Sequence, residues 1–182
     1  MTATQTDAVE FSRPVDLSRL GDATIVQEIE ATEGERRALA RRFDLLGIDS
    51  LRAKVDIRRV QGGTAVRLAG HVSAAVTQSC VVTLNPVENR IEEDFTVLYA
   101  PQAAVEAAMI GADADMDLPE PLPEGALDIG EAVAQQLSLA LDPFPRAPGA
   151  EIDPEWRGDA KEERENPFAR LATFRKNPNS SG

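Results

Sequence analysis

Cys80 and His71 are the only cysteine and the only histidine in the chain. Each is a residue type that can ligate a metal or do nucleophilic or proton-transfer chemistry. A zinc site takes about four nitrogen or sulfur ligands, or about three and a water, so here only carboxylates could complete one. In the apolar alternation of residues 75–84, Cys80 shares a face with Val82 and Leu84, which predicts a buried, inert core thiol. His71 has no serine or acid near it in a nucleophile pattern, and a general base needs a positioned partner. It reads as a surface histidine on the polar face of its strand, the face of Arg67. Asp113, Asp115 and Asp117 alternate as in a cation-binding loop. A calcium loop needs glycine at its sixth position and glutamate at its twelfth. Counted from Asp113, Leu118 takes the glycine's place and Pro119 intrudes, so a solvated acidic loop is expected. Gly62 and Gly63 lie between two strand-like runs, not between strand and helix. That excludes the phosphate-loop and dinucleotide fingerprints. No catalytic motif emerges, and no cofactor is expected.

The cationic residues offer binding chemistry instead. Arg37 and Arg41 stand four apart, away from an apolar stripe, with Arg36 and Arg42 flanking them. Arg52, Lys54 and Arg58 alternate with apolar residues and line the outer face of the best strand, and Arg67 joins them from the next one. Such a face can contact phosphates. It can equally be a solvated face, neutralised by the acidic half of the same chain. With one Trp, one Tyr and six Phe, several of them at core positions, a base-stacking platform is not expected.

The elements that must carry these residues read as follows. Strands are predicted near 11–17, with Pro14 marking an edge, and near 24–31. Thr32 and Glu35 form a capping box, and Leu39, Phe43 and Leu46 make a helical stripe over 33–46, with Gly47 as the stop. Leu51, Ala53, Val55 and Ile57 alternate with Arg52, Lys54, Asp56 and Arg58, the signature of a half-buried strand. A hairpin turn at 61–64 leads to strands at 64–73 and 75–84, and a last strong strand spans 91–99. A short helix is expected at 103–110, then an extended acidic loop at 111–127 with Pro119, Pro121 and Pro123 at every second position. Asp128 and Glu131 open another helix, whose stripe is Ile129, Val133, Leu137, Ala140 and Leu141. Hairpin-like spacing makes the sheet antiparallel. The expected fold is α+β: an antiparallel sheet, open or curled towards a barrel, with two or three packing helices.

The 182 residues carry a net charge of −12, which suits one domain of 1–149 followed by a tail. The first 90 residues hold 12 acids and 12 bases, residues 91–145 hold 12 acids and no base, and residues 146–182 hold 7 of each. The first half can therefore present a basic surface despite the acidic whole. Residues 150–182 are poor in apolar residues and are expected to be a disordered tail, in which Phe168 is an anchor that a partner could capture. The N-terminus has no signal-peptide pattern, and no run of apolar residues is long enough for a membrane helix. A cytoplasmic protein is expected.

One ordered set of features resembles a known family. Cys80-Val81-Val82-Thr83-Leu84-Asn85-Pro86-Val87 precedes the 91–99 strand and the acidic insert. Asp128-Ile129-Gly130-Glu131, Gln136-Leu137-Ser138-Leu139, Asp142-Pro143-Phe144-Pro145-Arg146 and Asn166-Pro167-Phe168-Ala169 follow. Over roughly 10–172 this is similar to the YceD family, the large ribosomal RNA subunit accumulation proteins of bacteria and plastids. The resemblance implies a non-enzymatic role in ribosome biogenesis, supporting accumulation of large-subunit ribosomal RNA. Many relatives carry Cys-x-x-Cys where this chain has Cys80 and Thr83, so no metal or redox role carries over. Two partner classes follow. Ribosomal RNA or a nascent large subunit would be met by Arg37, Arg41, Arg52, Lys54 and Arg58. A basic ribosomal protein would instead be met by an adaptor using Asp113, Asp115, Asp117 and Phe168. Neither a membrane nor a small-molecule substrate is expected.

Overall fold

The computed structural model describes residues 9–110 and 118–151. The chain divides into two units, Met1–Ala147 and Pro148–Gly182, and every element below belongs to the first. Asp113, Asp115, Asp117 and Phe168 lie outside the described residues, as does most of the expected tail.

The centre is a five-stranded sheet in the order β2-β3-β4-β5-β6. β2 (Ile25–Glu30), β3 (Gly47–Val60), β4 (Ala65–Ser79) and β5 (Pro86–Ala100) are antiparallel neighbours. β6 (Glu120–Pro121) adds a short parallel pairing, on Tyr99 and Ala100 only. The sheet is open: β2 and the β5–β6 side do not meet, so the barrel alternative falls. Its long strands follow from apolar alternation: Leu51, Val55 and Ile57 of β3 and Leu68, Val72 and Val76 of β4 are all buried, and polar residues flank those of β3. A two-stranded sheet joins β1 (Pro14–Asp16) to β7 (Ala126–Asp128).

Three helices accompany the sheets. α1 (Glu33–Arg42) and α3 (Ile129–Ala140) cover the apolar face, where Leu39, Ile129, Val133 and Leu137 join the strand residues in one core. α2 (Gln102–Ile110) packs Val105 into a smaller cluster with Ala65 and Ala100. At Gly70 an added Cβ would fall 2.8 Å from Val55 Cγ1 and 3.1 Å from the Phe95 ring. Only glycine lets these two close over β4.

Several expectations shift. The strands expected at 64–73 and 75–84 are one, because Ser73 and Ala74 supply no turn chemistry and the alternation runs on through Ala74 and Val76. α1 stops at Arg42, since Asp44 takes φ 54° and turns the chain before Gly47, which opens β3. The predicted capping box is present: the Thr32 N–H donates to the Glu35 carboxylate at 2.7 Å, and the Glu35 N–H donates to the Thr32 hydroxyl. The Gln61–Gly63 turn holds three successive positive φ values, at Gln61, Gly62 and Gly63, and closes the β3–β4 hairpin. The loop expected at 111–127 is not wholly irregular: β6 and β7 lie within or at the end of it, and the Leu122 N–H donates to Ala100 O at 2.8 Å. Its prolines mask this because they remove donors without forbidding an edge pairing.

Candidate functional site

The outer face of the sheet carries a charged grid. Direct cross-strand partners share a face, and register aligns Glu30, Arg52, Ser73 and Glu92 in one row. Glu28, Lys54, His71 and Asp94 make the next row, and Arg58 with Arg67 a further one. Arg52 bonds Glu30 at 3.1 Å and Lys54 bonds Glu28 at 3.1 Å. These residues and His71 rim a shallow depression of about 480 Å³. The expected cationic face is therefore a mixed one. Of its four predicted cations, Arg58 and Arg67 have no carboxylate partner among the described residues; they face each other, and Arg67 donates to Thr96.

His71 sits on this face as expected, but its surroundings are anionic. Nδ1 lies 2.8 Å from Asp94 and Nε2 lies 2.9 Å from Glu92, which also accepts from the Ser73 hydroxyl. Carboxylates only accept, so both ring nitrogens donate when both bonds form, and the ring is then an imidazolium. The bonds to Asp94 and then Glu92 push its pKa up. The Ser73 and His71 bonds hold Glu92 below the usual carboxylate range. The Ser73 hydroxyl is bonded to Glu92 and not to the ring.

Arg37 and Arg41 stand on α1, in the layer covering the opposite, apolar face. They are not brought together with Arg52, Lys54 and Arg58. Arg37 is paired to Glu33 at 3.3 Å. The flanking Arg42 is a structural clamp, bonded to Glu131 on α3 through two hydrogen bonds and to Glu10.

The Asp128-Ile129-Gly130-Glu131 run explains itself as a junction. The Asp128 carboxylate caps α3 by accepting from the Gly130 and Glu131 N–H groups at 3.0 and 3.2 Å. It also accepts from the Arg13 N–H at 2.7 Å and from the Ser12 hydroxyl. Ile129 is buried. At Gly130 a Cβ would lie 2.5 Å from Phe11 O, so the helix start presses on the chain before β1. Arg13 then reaches Glu35 with two bonds, and its guanidinium pushes the Glu35 carboxyl down to about 2.

Cys80 is buried, as expected, but β4 ends before it. Its N–H donates to Asn85 O and its carbonyl accepts from Leu84 N–H, closing a tight turn with Leu84 at φ 60°. The placement of Cys80 on a strand is therefore corrected. Sγ accepts N–H bonds from Ala147, Val82 and Thr83 at 3.3–3.4 Å. The Ala147 amide first, then Thr83, hold the thiol down to about 6. No group of three or more His, Cys, Asp or Glu suited to a metal ion occurs among the described residues. No helix there is long and apolar enough to cross a membrane.

The sequence reading missed the acidic edge of the sheet. β5 carries Glu88, Glu92, Glu93 and Asp94 against a single base, Arg90. A groove of about 210 Å³ runs between Glu93, Asp94 and Phe95 and the α3 residues Gln136, Leu139 and Ala140. One signal was legible: Glu93 interrupts the apolar face of a strand between Ile91 and Phe95, within a segment that contains no base.

The sequence model described as Large ribosomal RNA subunit accumulation protein YceD matches residues 68–175. The match begins in β4, so it takes in β5 and α3 but not Arg37, Arg41, Arg52, Lys54 or Arg58. No curated protein and no solved structure matches the chain. With more than half of its length matched, from the long central strand through the acidic edge and the capped helix, the chain belongs to the YceD family, whose name ties it to the accumulation of large-subunit ribosomal RNA.

Proposed function

We propose that the protein is a non-enzymatic, cytoplasmic ribosome-biogenesis factor that supports large-subunit RNA accumulation by engaging a basic partner, such as a ribosomal protein. The observation that carries this is the charge pairing on the sheet. Arg52 and Lys54 are each matched by a glutamate of the neighbouring strand, and Glu92 and Asp94 share the His71 ring, whereas Glu88 and Glu93 of β5 have no ion-pair partner among the described residues. Phosphate contacts need free cations, and a face that already holds carboxylates repels the RNA backbone. An acidic surface favours and steers a basic protein. A second reading, direct RNA contact, is favoured only by Arg58 and Arg67. They lie directly opposite each other on the outer face, a like-charge pair that an anion would relieve.

The test compares the wild type with an Arg52→Glu, Lys54→Glu and Arg58→Glu variant. Each is titrated with large-subunit ribosomal RNA and with purified basic large-subunit proteins at about 0.15 M salt, where exposed charges more than a Debye length apart are screened. Protein binding in both forms, with weak and unchanged RNA affinity, is expected. Tight RNA binding that the variant loses would overturn the proposal and assign the outer face to RNA.

A further inference from the structure

We infer that the free edge of β5, with the groove between it and α3, takes an extended basic segment of the partner as an added strand; this rests on the proposed protein-binding role. β5 is 15 residues long and pairs with β4 along its length. On its other side only Tyr99 and Ala100 have a strand partner among the described residues. An open edge of this kind presents unpaired N–H and C=O groups that an incoming strand satisfies.

The groove fits such a strand. An added strand would run about 4.8 Å from β5, alongside Leu139. That side chain is 79% exposed although Ile129, Val133 and Leu137 of the same helix are buried. Phe95, Leu139 and Ala140 supply an apolar wall for one aliphatic side chain of the incoming segment.

Charge selects the occupant. Residues i and i+2 of a strand share a face, so Glu93 lies on the apolar side with Phe95, while Glu92 and Asp94 lie on the outer side. An inward-pointing charge on an edge strand is a device against self-pairing, and two copies joined edge to edge would crowd acid against acid. A basic segment has the opposite relation to the same residues. Set beside Glu92, Glu93, Asp94 and Phe95 in turn, it would present three successive lysines or arginines and then an aliphatic residue.

The probe is a fluorescent peptide with a Lys-Arg-Lys-Val core flanked by threonines, titrated into the full chain and mapped by backbone amide NMR. Two control peptides replace the valine by serine or place proline within the core. Shifts confined to β5 and the end of α3 are expected. Glu93→Lys and Leu139→Ser should each weaken binding by about tenfold or more, a free-energy change of about 1.4 kcal/mol per tenfold. Both are exposed substitutions, and Arg58→Glu should leave affinity unchanged. Equal binding of the proline peptide would overturn strand addition, as would shifts on the outer face of the sheet. A concentration-dependent dimer abolished by Leu139→Ser would assign the edge to a second copy and overturn it too. If the peptide leaves β5 unmoved while basic large-subunit proteins still bind, the docking edge fails and the adaptor role stands. If those proteins do not bind either, both fail.

Discussion

His71 shows what single residues contribute and what they conceal. Its exposure follows from the alternation around it, and the sequence shows that much. Its two carboxylate partners sit more than twenty positions away, and only the β4–β5 register brings them to it. Because its pKa is raised by Asp94 and Glu92, the bridging imidazolium stabilises the sheet at low pH. That contribution is fully present below the ordinary histidine pKa of 6.5 and is lost as pH rises through the higher folded value. A proton NMR titration of the ring should therefore give a midpoint above 6.5, and Asp94→Asn should bring it down. A midpoint at or below the ordinary value would contradict the bridge. Cys80 teaches a related lesson. Burial was readable from its apolar neighbours, but of the three amides aimed at its sulfur two come from its own turn and one from Ala147, 67 positions on, and no spacing rule foretells that.

At the level of elements, local signals were read well and long-range ones were not. The capping box at Thr32, the Gly62-Gly63 hairpin and the Asp128 helix start are all chemistry within a few residues, and all are present. The boundary between two presumed strands at residue 74 was wrong because a long strand differs from a hairpin only by turn residues, which were never there. The pairing of β6 and β7 was hidden because it depends on distant partners and on prolines that look like loop. Asp128 unites the two kinds of information, since its cap is local while its bonds to Ser12 and Arg13 cross the fold. Asp128→Ala removes the cap and strands the Arg13 N–H. It should cost about 2–3 kcal/mol, seen as a lower urea midpoint with an unchanged slope. Asp128→Asn, which keeps an acceptor, should lose less. An unchanged midpoint in the alanine variant would show that the junction does not hold α3.

For the whole molecule, the central fact is that charge is sorted along the chain and then partly cancelled across the sheet. The sorting was visible in the sequence as a segment without bases. The cancellation was not, because Glu28 and Glu30 meet Lys54 and Arg52 only through strand pairing. Of the cations that looked available for RNA, Arg37, Arg52 and Lys54 are engaged at home, and the cations of α1 stand on the far layer from those of β3. Glu88 and Glu93, which have no ion-pair partner among the described residues, lie along an open strand edge within the part of the chain matched by the YceD family. Exposed pairs such as Arg52–Glu30 add little to stability, so their main consequence is to lower the surface potential that phosphate would meet. The most direct measurement is purification of the tagged full-length protein from cells, with and without ribonuclease, followed by identification of what is retained. If the acidic edge holds a basic protein, basic large-subunit proteins should remain bound after the RNA is digested and be released by salt. Their departure together with the RNA would contradict it.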